Sequence, residues 1–136
     1  MIGSSAGNPV EIGDAFLLED RKIDPHLWVV ISDPGKDDEQ VVIVNLTSHD
    51  SPEKDDSCIL ESGDHPWVRH KTSVRYRDAR VASERDLDKL VKKRKLTPQN
   101  PVSDETLGKI LAGAQMSPHL PLRHRRILQD QGLLER

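Results

Sequence analysis

Residues 25–48 read PHLWVVISDPGKDDEQVVIVNLTS, and the fold turns on them. Leu27–Ser32 and Val41–Leu46 are short apolar runs rich in valine and isoleucine. Runs of this length, bounded by turn residues, predict buried strands. Asp33-Pro34-Gly35 between them is a strong turn signal. The two runs therefore predict the central hairpin of a small β-barrel.

Upstream, Val10–Leu18 (VEIGDAFLL) alternates imperfectly, with Val10, Ile12, Phe16 and Leu18 as inward candidates. Gly13 within it marks a bulge or a strand entry. Residues 1–9 are small and polar and predict a disordered leader. They lack the basic start and apolar stretch of a secretory signal. Cys58 is the only cysteine, so no intrachain disulfide can form. Both points predict a cytoplasmic protein. No apolar run approaches the roughly 20 residues that span a membrane.

Downstream, His49–Ser57 predicts a polar loop and Cys58–Leu60 a short strand. Thr72–Val81 alternates so that Val74 and Tyr76 face inward while Arg75 and Arg77 face outward, with a break expected at Asp78-Ala79. Ser83–Asp86 matches a capping box, and the helix after it closes on Lys92–Lys95, cations favoured at a helix C-terminus. Thr97–Val102, with two prolines, predicts a linker. Ser103 predicts the cap of a second helix, and Leu122–Gln131 a third, ended by Gly132. Short strands followed by segregated helices give an α+β class with a mainly β core. The expected organisation is a leader (1–9), a partly open barrel with its closing helix (10–96), and a helical extension (97–136) packed on the barrel or on a partner.

Aromatic residues make up only 3% of the chain, so the core is aliphatic and thin, and a helical appendage or second chain is needed to complete it. The net charge of -3 hides a segregation. Residues 1–68 carry 4 Lys+Arg against 15 Asp+Glu, while 69–95 carry 11 against 4. A basic segment in an otherwise acidic chain is either a solvated face or a footprint for phosphate.

The candidate chemistry lies on and beside the hairpin. His26, Thr47 and Ser48 stand at strand ends. His65, His70, Lys71 and Ser73 could line a groove, and Arg75, Arg77 and Arg80 could track phosphates. Cys58, His65 and His70 match no compact zinc-ligand spacing and lack a fourth partner, so neither a metal nor a cofactor is expected. Arg123–Arg126 would suit a DNA recognition helix. The MSPHLP turn before them is longer and richer in proline than a helix-turn-helix allows, so these helices are expected to pack on the barrel or a partner.

Three segments carry a family resemblance: Gly13-Asp14 followed by apolar residues, LWVVIS (27–32), and VVIVNLTS (41–48) ending in threonine-serine. With the later GDHPWVRHKTSVRYRDARV, their order and spacing resemble the MazF/PemK toxin ribonucleases over roughly residues 10–90. The resemblance implies an SH3-like barrel, homodimerisation, a cognate antitoxin, and metal-independent cleavage of single-stranded RNA by attack of a ribose 2′-hydroxyl. It places Thr47 on the family's key threonine, with the helices after Leu96 outside the common core. His26 stands where the family has arginine. Histidine can act as acid or base near neutrality, but lacks arginine's permanent bidentate charge, which Arg21 or Lys22 would have to supply. Two readings follow. One is a toxin-like endoribonuclease with His26, Thr47 and Ser48 at its centre. The other is a non-catalytic SH3-like barrel that binds a protein partner or nucleic acid in a regulatory or defence role.

Overall fold

The computed structural model describes residues 10–20 and 23–136. The expected leader, Arg21 and Lys22 lie outside them. Six antiparallel strands form one curved sheet: β1 (Ala15–Asp20), β2 (Ile23–Val30), β3 (Gln40–Ser48), β4 (Ile59–Leu60), β5 (Thr72–Ser83) and β6 (Leu96–Gln99). Their order across the sheet is β4-β5-β3-β2-β1-β6. Three helices complete the chain: α1 (Glu84–Lys92), α2 (Asp104–Met116) and α3 (Leu122–Asp130). The class is α+β, a small SH3-like barrel with helices appended.

The hairpin is β2–β3, paired through Trp28↔Asn45, Val29↔Val44 and Val30↔Ile43. Its runs are continuously apolar because β3 is buried on both faces. Val29, Ile31, Val44 and Leu46 face one core, to which α2 and α3 add Ile110, Ala114 and Leu128. Phe16, Trp28, Val30, Val41 and Ile43 face the other, which α1 closes with Leu87. A full helix stripe on each side supplies what the few aromatics do not.

The helix starts follow from their caps. Ser83 Oγ accepts from the N–H of Asp86 at 3.0 Å, and Ser103 Oγ from that of Thr106 at 3.1 Å. Each satisfies an amide that the first turn leaves unpaired. At the far end, Asp33 N–H donates to Gln131 Oε1 at 2.8 Å, and Gln131 Nε2 donates to Asp33 O at 3.1 Å. The end of α3 is thereby pinned to the turn after β2.

Two expectations need correcting. The first half of the 97–102 linker is strand: β6 pairs with β1 through Leu18↔Leu96, Leu17↔Thr97 and Phe16↔Pro98. Pro98 is tolerated because β6 is a sheet edge, where a missing N–H breaks no second ladder. The break at Asp78-Ala79 is a large bulge inside one strand. The ladder passes from Asn45↔Arg75 to Ile43↔Arg80, so Val44 alone stands opposite residues 76–79. Bulges bend a strand and re-aim its side chains.

Candidate functional site

The ends of β2 and β3 and the start of β5 bring together most of the residues singled out in the sequence. Thr47 lies opposite Ser73, and Ser48 opposite Thr72. His26, half-buried on β2, places Nδ1 3.2 Å from Leu46 O. A carbonyl oxygen only accepts, so Nδ1 carries the proton. The neutral ring then presents Nε2 as a proton acceptor. Thr47 is buried at 8% exposure, while Ser48 is half-buried.

Two histidine–serine pairs flank this strand end. His70 Nε2 lies 2.7 Å from Ser48 Oγ. His49 Nδ1 is hydrogen-bonded to the buried Ser73 Oγ, across from Thr47. Neither imidazole is backed by a carboxylate among the hydrogen bonds of the described residues, which separates both pairs from a Ser–His–Asp triad. Lys54 Nζ donates to Ser48 O at 2.7 Å and pairs with Asp50 at 2.8 Å. His49 and Lys54 sit in what reads as a polar loop. Only their contacts in the fold reveal them.

His65 stands apart. It is 3% exposed, its Nε2 donates to Asn100 O at 2.6 Å, and its Nδ1 accepts from Trp67 N–H at 3.0 Å. Both nitrogens are used on backbone, so the ring is neutral and offers nothing to a substrate. Lys71 is exposed beside the site, and the His49 N–H donates to its carbonyl at 3.0 Å. Arg75 Nε pairs with Asp78 at 3.1 Å in an exposed contact, of a kind worth only about 0–1 kcal/mol and easily exchanged. Arg80 lies over Trp28, 5.0 Å from the ring centroid. Arg77, on the β5 bulge, donates from Nη2 to His119 Nδ1 at 3.1 Å.

Asp55 anchors the loop beneath these residues. Burial pushes its carboxyl up, but hydrogen bonds from Ser117 and Ser57 outweigh that and hold it below its ordinary value. Acidic groups gather elsewhere, around a cavity of about 520 Å³ lined by Glu11, Asp33, Glu39 and Glu84. Burial first, and Glu39 second, push Glu84 up. Such a surface repels RNA and leaves the basic end of the sheet as the phosphate-compatible one.

Cys58 is buried, and burial pushes its thiol up to about 11, against a smaller opposing effect of its hydrogen bond to Tyr76. Among the described residues no three His, Cys, Asp or Glu side chains are grouped to hold a metal ion. No described helix is long and apolar enough to cross a membrane. In the third helix one arginine is taken up by the fold. Arg125 donates to the carbonyls of Ala114, Gln115 and Ser117 at 3.0, 3.2 and 2.8 Å, closing the end of α2.

No family model matches the sequence, and no curated protein matches it. The structure is similar to an endoribonuclease solved in complex with its cognate antitoxin from a mycobacterial species, at 15% identity and a TM-score of 0.51. The fold is shared. It is the fold that the MazF/PemK resemblance implies. The similarity takes in 97% of that chain and 84% of this one, more than the residues before Thr97 could supply.

Proposed function

We propose that this chain is a toxin-like endoribonuclease that cleaves single-stranded RNA without a metal ion. The observation that carries the reading is the His26–Leu46 hydrogen bond on the barrel hairpin. It fixes the tautomer that leaves Nε2 free to take a proton. His26 removes the ribose 2′ proton, and the 2′ oxygen attacks the adjacent phosphorus. Thr47 and Ser48 position the phosphate. His70, bridged to Ser48, or His49, bridged to Ser73, returns a proton to the departing 5′ oxygen. Arg75, Lys71 and Lys54 oppose the charge of the phosphorane. The products are a 2′,3′-cyclic phosphate and a 5′-hydroxyl. The shared fold, with its solved antitoxin complex, supports a cognate antitoxin as partner, and the family resemblance supports a cytoplasmic homodimer.

The test is cleavage of a mixed-sequence single-stranded RNA in EDTA. Wild type is expected to release cyclic-phosphate ends. His26→Ala is expected to slow cleavage by about 10²–10⁴-fold, the usual contribution of a positioned acid or base. A His26→Ala variant as fast as wild type would sink the assignment. The burial of Thr47 favours a second reading, a non-catalytic barrel that binds a protein or nucleic acid. Folded wild type that binds RNA and leaves it intact would select that reading.

A further inference from the structure

A concave pocket of about 250 Å³ opens between the 51–55 loop, the β5 bulge and the turn joining α2 to α3. Lys54, Arg75, Arg77 and His119 line it, with Glu53 and Asp55 on the same wall. Arg77 differs from an ordinary surface cation in how it is held. Asp55 Oδ2 accepts from Ser117 Oγ at 2.6 Å, and Ser117 Oγ in turn accepts from His119 N–H at 3.1 Å. The His119 Nδ1 then accepts from Arg77. That bond leaves the proton of the neutral ring on Nε2, a further donor. The chain Asp55–Ser117–His119–Arg77 thus fixes one guanidinium before any ligand arrives, which lowers the ordering cost of binding. Asp55 stays ionised, as its lowered carboxyl requires, and both of its oxygens are held in place. Its other oxygen accepts from Ser57 N–H and Oγ at 2.9 and 2.6 Å.

We propose that this pocket binds a backbone phosphate of single-stranded RNA beside the cleaved linkage, with Arg77 and His119 as positioning residues. The proposal rests on the ribonuclease reading and extends it. Two facts place the ligand. Lys54 joins the pocket wall to the Ser48 carbonyl, so pocket and strand end are neighbours. The planar forks of Arg75 and Arg77 match phosphate oxygens, and their remaining N–H groups have no partner among the described residues. The helical region thereby becomes part of the substrate surface as well as a cover for the core.

The experiment is fluorescence anisotropy with a labelled 2′-O-methyl hexanucleotide, which has no nucleophile and cannot be cleaved. Arg77→Ala is expected to weaken binding about tenfold at low salt and to reduce the slope of log affinity against log salt by about 0.7, one phosphate contact on a single strand. Arg77→Lys should keep the slope and lose part of the affinity. His119→Ala should give a smaller loss with the slope retained. Equal affinity and slope for wild type and Arg77→Ala, both folded, would overturn the proposal. So would a polyglutamate peptide that binds as tightly with the same Arg77 dependence, since the pocket would then be an acidic-peptide site. Parallel cleavage of unmodified RNA separates the two claims. Arg77-dependent binding without cleavage keeps the pocket and discards the ribonuclease, and cleavage indifferent to Arg77 does the reverse.

Discussion

Gly113 in α2 packs directly against Tyr76, Cys58 and the Ser57 carbonyl, and replacing it by alanine gives a sharp test of the packing. A Cβ built there would lie 2.5 Å from Cys58 Cβ and 2.9 Å from Ser57 O, and closer still to the Tyr76 hydroxyl. Real Cβ contacts essentially never fall under 3.0 Å. The backbone carbonyl cannot step aside. The tyrosine can yield only by loosening its 2.6 Å hydrogen bond to Ile110 O. Overpacking of this kind costs about 1–3 kcal/mol, and a weakened buried hydrogen bond adds about 1 kcal/mol. Against this, alanine gains about 0.5–1 kcal/mol over glycine in a helix interior. The net expectation is a loss of about 1–3 kcal/mol, or a melting point lower by about 4–12 °C at about 4 °C per kcal/mol. Gly108 supplies the control, because it lies in the same helix with nothing within 4 Å of its virtual Cβ. Gly108→Ala should therefore stabilise by about 0.5–1 kcal/mol. Urea and thermal denaturation of both variants decide the matter. If Gly113→Ala is as stable as Gly108→Ala, the close approach of α2 to Tyr76 and Cys58 is wrong.

Three further outcomes are expected. Raising the Cys58 thiol from 9.0 to about 11 lowers its thiolate fraction roughly 100-fold at pH 8. Native protein should resist alkylation that goes to completion in urea, and fast labelling of the native form would contradict the burial. Ser117→Ala removes one of the bonds that hold Asp55 down, so an NMR titration should show the Asp55 carboxyl rising. A carboxyl depressed in the folded state stabilises above its unfolded value and stops doing so as pH falls through the folded one. The stability gap between wild type and Ser117→Ala should accordingly narrow between pH 7 and about pH 3. Arg125→Ala leaves three carbonyls at the end of α2 without their donor. It should cost about 1–3 kcal/mol in urea unfolding, and Arg125→Lys should not rescue it, because a single ammonium cannot replace the fork.

The hairpin, the three helices and both serine caps are legible because each is a local pattern: an apolar run, a turn, a serine before an acidic first turn. Strand β6 was not, since Pro98 signals a linker everywhere except on a sheet edge, and only the position of β1 makes it one. The β5 bulge was read as a break because no local signal shows how many residues face Val44. At the candidate site the structure gathers His26, Thr47, Ser48, His70 and Ser73, which the sequence places on the hairpin and on a segment able to fold beside it. His65 looked like its neighbours in sequence, but the carbonyl that accepts from it lies 35 positions away. His49 and His119 became visible only through partners 24 and 42 positions distant. The candidate-site histidines and the structural one differ in what the fold brings to their second nitrogen, and that is a long-range fact.

Gln131 and Asp33 are 98 positions apart in the chain, yet they hold each other by two bonds. The central hairpin is made early in translation, but its turn is latched only when α3 has emerged. Until then the face bearing Val29, Ile31 and Leu46 lacks Leu128 and Leu134. A ribosome that stalls before α3 would thus release a sticky, unfinished sheet rather than a smaller working barrel. The fold thus ties a finished sheet to the completion of synthesis.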